Sequence, residues 1–185
     1  WFHIERVYKN ALLIAEGEEC DITVVQLGAL LHDIADSKFY DGDETVGPKV
    51  ARQFLEEQGA TEDIILHVIN IIDNISFKGG NFEKKFNSIE LQIVQDADRL
   101  DALGAIGIAR AFNYGGFKGR ALYDPAIVPN LNMTKEDYKA STTPTLNHFY
   151  EKLLLLKDRF NTATGKKIAE GRHWYMEDFL KQFYA

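Results

Sequence analysis

Four polar residues stand on faces of this chain that are otherwise apolar. His3 shares a helical face with Val7, Ala11 and Ile14. His32 and Asp33 interrupt the apolar run "GALLHDIAD", residues 28–36. Asp96 falls within the seam Ile89, Ile93, Leu100, Leu103 and Ile106, which advances in steps of three and four. A carboxylate facing a core loses its hydration and needs a partner. A salt bridge or a helix cap would serve Asp96 alone, and a core hydrogen bond would serve His3 alone. One divalent cation would serve all four. His32 and Asp33 are neighbours about 100° apart on a helix, so both can reach one ion. Asp36, three residues past Asp33 and four past His32, overhangs the same patch.

Nitrogen and oxygen donors without sulfur suit Mn²⁺, Fe²⁺, Co²⁺, Ni²⁺ or Mg²⁺, with Mn²⁺ favoured here and Zn²⁺ less suited for want of cysteine. Four protein ligands on a six-coordinate ion leave about two positions for water or substrate. Such an open site implies catalysis rather than a structural role.

The elements that must hold these residues read as helices. The spacing predicts helices over about 3–16, 22–35 (capped by Asp21), 45–58 (stopped at Gly59), 62–75 (capped by Thr61) and 88–112. A long irregular stretch, about 113–142, opens with "YGGFKGRALYDP". Helices follow at about 145–160, after Thr143-Pro144, and at 163–184. No strand alternation or internal repeat is read. The expectation is an all-α protein, a compact multi-helix bundle in a single domain spanning residues 1–185. Its core helices would cover about 3–112, the long loop would lie at the active site, and the C-terminal helices would cover 145–184.

Composition narrows the function. The chain is 45 % apolar, enough for a real core, and its net charge of -7 argues against tracking a nucleic-acid polymer. A small phosphate-bearing ligand needs only a few local cations. Cys20 is the only cysteine, which rules out an internal disulfide and points to a reducing, cytoplasmic setting. No apolar run approaches the roughly 20 residues of a membrane span, and no signal peptide is read. The start at Trp1-Phe2-His3, without methionine, implies a trimmed end with an element missing before it.

The order His3, His32-Asp33, Asp96 on successive apolar faces resembles the H…HD…D signature of HD-domain metal-dependent phosphohydrolases. The strings "LLHDIADSKF" and "IVQDADRLDALGAIGIAR" resemble a bacterial subgroup of small, single-domain members. The resemblance runs from "WFHIERV" to "EGRHWYMEDF". It implies an all-α bundle, with His3, His32, Asp33 and Asp96 as metal ligands. It also implies that Asp36 handles the attacking water, where related nucleotidases often carry the longer glutamate.

The reaction so implied is hydrolysis of a phosphate ester or anhydride on a nucleotide. Phosphoryl charge needs fixed cations. Lys78 in "SFKGG" and Arg120 and Lys118 in "GGFKGR" are the first candidates, then Arg6, Lys38 and Arg99. Several spaced cations tilt the expectation toward a polyphosphate: a nucleoside triphosphate cleaved to monophosphate and pyrophosphate. Monophosphate dephosphorylation and cyclic-nucleotide opening are the alternatives within the class, and a non-catalytic nucleotide sensor is the alternative outside it. A homodimer is one option for the assembly. Asp98 and Asp101 are assigned pairing with Arg99 or capping, and no catalytic role. His148 and His173 read as structural. His67 reads as part of a core or polar network, with a second metal as the sharper alternative.

Overall fold

The computed structural model describes residues 1–35, 40, 42–75, 86–133 and 141–185. Among these residues the chain is all-α and contains no strand. Its helices are α1 Phe2–Ala15, α2 Ile22–Leu31, α3 Val46–Glu57, α4 Glu62–Ile75, α5 Ile89–Leu100, α6 Gly104–Phe117, α7 Asn147–Glu151 and α8 Ala163–Tyr184, with a 3₁₀ helix at Leu153–Arg159. None of them is long and apolar enough to cross a membrane.

The chain forms two compact units. The first comprises Trp1–Asp98 and Asn161–Gly165, the second Arg99–Phe160 and Lys166–Ala185. In the first, α2 packs on α1 and α4, and α3 on α4. Val7, Ala11 and Ile14 of α1, Val25 and Ala29 of α2, Val68 and Ile71 of α4, and Ile93 and Val94 of α5 lose all exposure there. Asp21 starts α2 as expected, its Oδ1 accepting from the Thr23 and Val24 amides at 2.9 and 3.3 Å. Gly28 lets α2 come close: a Cβ there would lie 3.2 Å from an Ile71 methyl and 3.3 Å from a Val94 methyl.

The predicted helix over 22–35 is shorter in the structure. It ends at Leu31, with His32 at its C-cap and turns through residue 35. The predicted helix over 88–112 is two helices. Leu103 is extended (φ -117°, ψ 159°) and Gly104 takes φ +68°, a conformation that favours glycine. The carbonyl of Leu100, at the end of α5, accepts from Arg172 Nη1 at 2.6 Å. The wholly buried Asp101 pairs with Arg110. These polar contacts hold a break that apolar periodicity alone does not signal. The expected loop also starts later, because α6 runs on to Phe117 through Gly115. A Cβ on Gly115 would lie 2.0 Å from Thr145 Oγ1, so packing overrides the low helix propensity of glycine.

The second unit is centred on Leu100, Leu103, Leu146, Phe149 and Met176, all without exposure. His148 lies in it. Burial, then the charges of Lys152 and Arg120, hold its imidazole down to about 4, against an ordinary 6.5. With the folded-state value below the unfolded one, the unfolded chain takes up the proton first. Stability supplied by the neutral ring is therefore present above about pH 6.5 and lost as pH falls toward 4. The urea midpoint should drop between pH 7 and about pH 4.5, and drop less in His148→Phe. Equal drops in the two proteins would take His148 out of the acid response.

Candidate metal centre

His3 stands in the first turn of α1 and His32 at the end of α2, where each imidazole emerges from an apolar face. The last carbonyls of a helix have no partner within it. His32 supplies one: its Nδ1 lies 2.9 Å from the Ala29 carbonyl. A carbonyl oxygen only accepts, so Nδ1 carries the proton and Nε2 keeps its lone pair. Among the described residues that Nε2 is buried and makes no hydrogen bond. An orphaned nitrogen of this kind costs about 1–3 kcal/mol unless something else meets it.

What surrounds it is a set of donors. Asp33 Oδ2 lies 3.5 Å from His32 Nε2 and 3.5 Å from His3 Nε2. Asp98 Oδ1, from the last turn of α5, lies 3.4 Å from His3 Nε2. The two rings meet edge to face, centroids 5.4 Å apart. One ligand atom each from His3, His32 and Asp98 falls within 4.8 Å of the others. Donors bound at about 2.1 Å to one six-coordinate ion stand roughly 3–4 Å apart, so the arrangement fits a cation. The side chains of Asp33 and Asp98 are 42 % and 43 % exposed, which leaves one side of the cluster to solvent.

The structure brings Asp98, not Asp96, to the two histidines. Asp96 has no exposure, and its oxygens accept from four donors in the segment before α8. The amide and Nδ2 of Asn161 lie at 3.0 Å, the amide and Oγ1 of Thr162 at 2.8 and 2.9 Å. These contacts are those of a helix cap, one of the two plain readings of its seam position. Asp98 stands at the half-exposed rim of that apolar seam, Asp96 at its buried centre.

Of the other candidates, Asp36, Lys38 and Lys78 lie outside the described residues. Arg6 is half-buried one turn beyond His3 on α1. Arg99 donates to the Arg159 carbonyl at 2.7 Å. Arg120 donates to the Ser141 carbonyl at 2.6 Å and lies over the Tyr114 ring, as does Lys118, which also lies over Phe117. His67 joins a polar network: its Nε2 is 2.9 Å from Ser88 Oγ and 3.2 Å from Glu90 Oε2. Cys20 lies beside this network, and burial and then the carboxylates of Glu90, Asp21 and Glu18 push its thiol up.

Residues 1–103 match the HD domain family. An uncharacterized protein of Bacillus subtilis strain 168, YpgQ, is 40 % identical over 98 % of this chain and 81 % of its own length. The crystal structure of an HD-superfamily hydrolase from Bacillus thuringiensis superposes with a TM-score of 0.80 at 47 % identity, covering 100 % of this chain and 84 % of that one. The crystal structure of B. subtilis YpgQ in complex with ADP gives 0.78 at 37 % identity, covering 99 % and 84 %.

Proposed function

The chain belongs to the HD domain family, and from that premise we propose that it is a divalent-metal phosphohydrolase acting on nucleotides. One observation carries the proposal: the orphaned, buried Nε2 of His32 among His3, Asp33 and Asp98. His3, His32, Asp33 and Asp98 are the residues that would hold the ion, with Mn²⁺ the favoured occupant. Bound there, it supplies Lewis acidity toward a phosphoryl oxygen and a nucleophilic water.

The chain's own residues do the rest. The bond from His32 to the Ala29 carbonyl fixes the ring and its tautomer before any ligand arrives. The two half-exposed carboxylates leave an approach for substrate. Asp36 is retained in this reading as the group that orients the water and takes its proton, and the cations named from the sequence as those that meet phosphate. The nucleotide class is supported by the ADP complex of YpgQ. Within it we favour pyrophosphate release from a nucleoside triphosphate, because the sequence offers several cations, Lys78, Lys118 and Arg120, for a polyphosphate.

The test is a nucleotide panel assayed with Mn²⁺ or Mg²⁺, with products read by phosphorus NMR. Turnover should vanish on chelation, return with Mn²⁺, and yield pyrophosphate. Orthophosphate instead would redirect the proposal to a monophosphatase. Nucleotide binding without turnover under every metal would replace the enzyme with a sensor.

A further inference from the structure

Asp96, displaced from the cluster, still lies two residues from Asp98 on the last turns of α5. We infer that Asp96 is a positioning residue, whose buried grip on Asn161 and Thr162 fixes the rotation of α5 and so the reach of Asp98 toward the histidines. The inference rests on the metal reading above.

The restraint is built from several directions. Asn161 and Thr162 bring four donors to Asp96, and Thr162 Oγ1 accepts in turn from the Gly165 amide at 2.9 Å. The acid therefore binds the segment that starts a 22-residue helix, where exposed amides favour an anion. Next to it, Gln95 Oε1 accepts from Asn161 Nδ2 at 3.2 Å, while Gln95 Nε2 donates to the Asn74 carbonyl at 2.9 Å. The following residue, Ala97, offers its carbonyl to Asn10 Nδ2 of α1, the helix that carries His3. Three consecutive residues of α5 are thus tied to three other segments, immediately before Asp98.

The lever is short and stiff. Two residues turn a helix by about 200°, so Asp96 and Asp98 project to nearly opposite sides of α5. A carboxylate stands about 5–6 Å from the helix axis, so a rotation of about 10° carries it roughly 1 Å. That exceeds the roughly 0.5 Å within which a binding constellation must be held. A side chain that merely stabilised the fold would leave the Asp98 distance unchanged at any temperature where the protein stays folded. One that sets rotation would not.

Asp96→Asn keeps the volume, removes the charge and turns an amide N–H toward donors. Mn²⁺ binding, followed by electron paramagnetic resonance well below the melting temperature, should weaken by about 10- to 100-fold while helical circular dichroism is kept. Asn161→Ala removes one donor and should weaken it less, about threefold. Wild-type affinity in a folded Asp96→Asn would overturn the inference and leave the metal centre standing. If Asp96→Asn does not fold, wild-type affinity in Asn161→Ala overturns it in the same way. A wild type that binds no Mn²⁺ overturns the metal reading itself, and this inference falls with it.

Discussion

Replacing Asp98 by alanine should lower hydrolytic turnover by about 10³-fold, with bound metal lost in parallel. That factor corresponds to roughly 4 kcal/mol, the several kcal/mol that a Lewis acid contributes to a phosphoryl transition state. His32→Ala should do the same for a related reason. It removes a buried ligand nitrogen that makes no hydrogen bond among the described residues. The fold should tolerate both changes, since Asp98 is half-exposed and His32 ends its helix. Metal content by atomic absorption, measured beside turnover, separates the cases. An Asp98→Ala protein that keeps metal and rate would return the centre to His3, His32 and Asp33 without an α5 ligand.

The second large effect falls on stability. A Cβ on Gly165 would lie 2.6 Å from Thr162 Oγ1 and 2.7 Å from Asp96 Oδ2, atoms held by each other and by Asn161. Neither can move without giving up hydrogen bonds in a fully buried site. Gly165→Ala should therefore cost about 3 kcal/mol, which for a chain of this size lowers the thermal midpoint by roughly 6–12 °C. Gly171, on the same helix, has nothing within 4 Å of the corresponding position. Gly171→Ala should be neutral or slightly stabilising, since alanine is the better helix former. A melt of Gly165→Ala that overlays the wild type would show that the segment yields more easily than its contacts imply.

Much of this was legible in the sequence because helices repeat every 3.6 residues. Periodicity located α1 to α4 and the start of α5 within a few residues, and Asp21 announced the start of α2. It also set His3 on the apolar face of α1 and His32 at the buried end of α2, while Asp33 lies exposed in the turn beyond. The errors came where periodicity carries no information. The end of α2 depends on a side chain bonding back to Ala29. The break between α5 and α6 depends on Gly104 and on Arg172 reaching Leu100 across 72 residues of sequence. Asp96 and Asp98 differ by two positions, and the seam pattern picks the more buried one. Only the partners of Asp96, 65 and 66 residues further along, reveal that its charge is already satisfied.

The half-exposed carboxylates of Asp33 and Asp98 have one more consequence. If the proposed centre holds, an ion gripped by two imidazoles within and two acids on a wet rim would trade places with the medium while the helices stay folded. Occupancy would then follow cellular supply, because intrinsic affinity across the first-row divalents rises toward copper for almost any such donor set. The metal in purified protein would then depend on growth medium and on wash, and would differ between preparations of one identical chain.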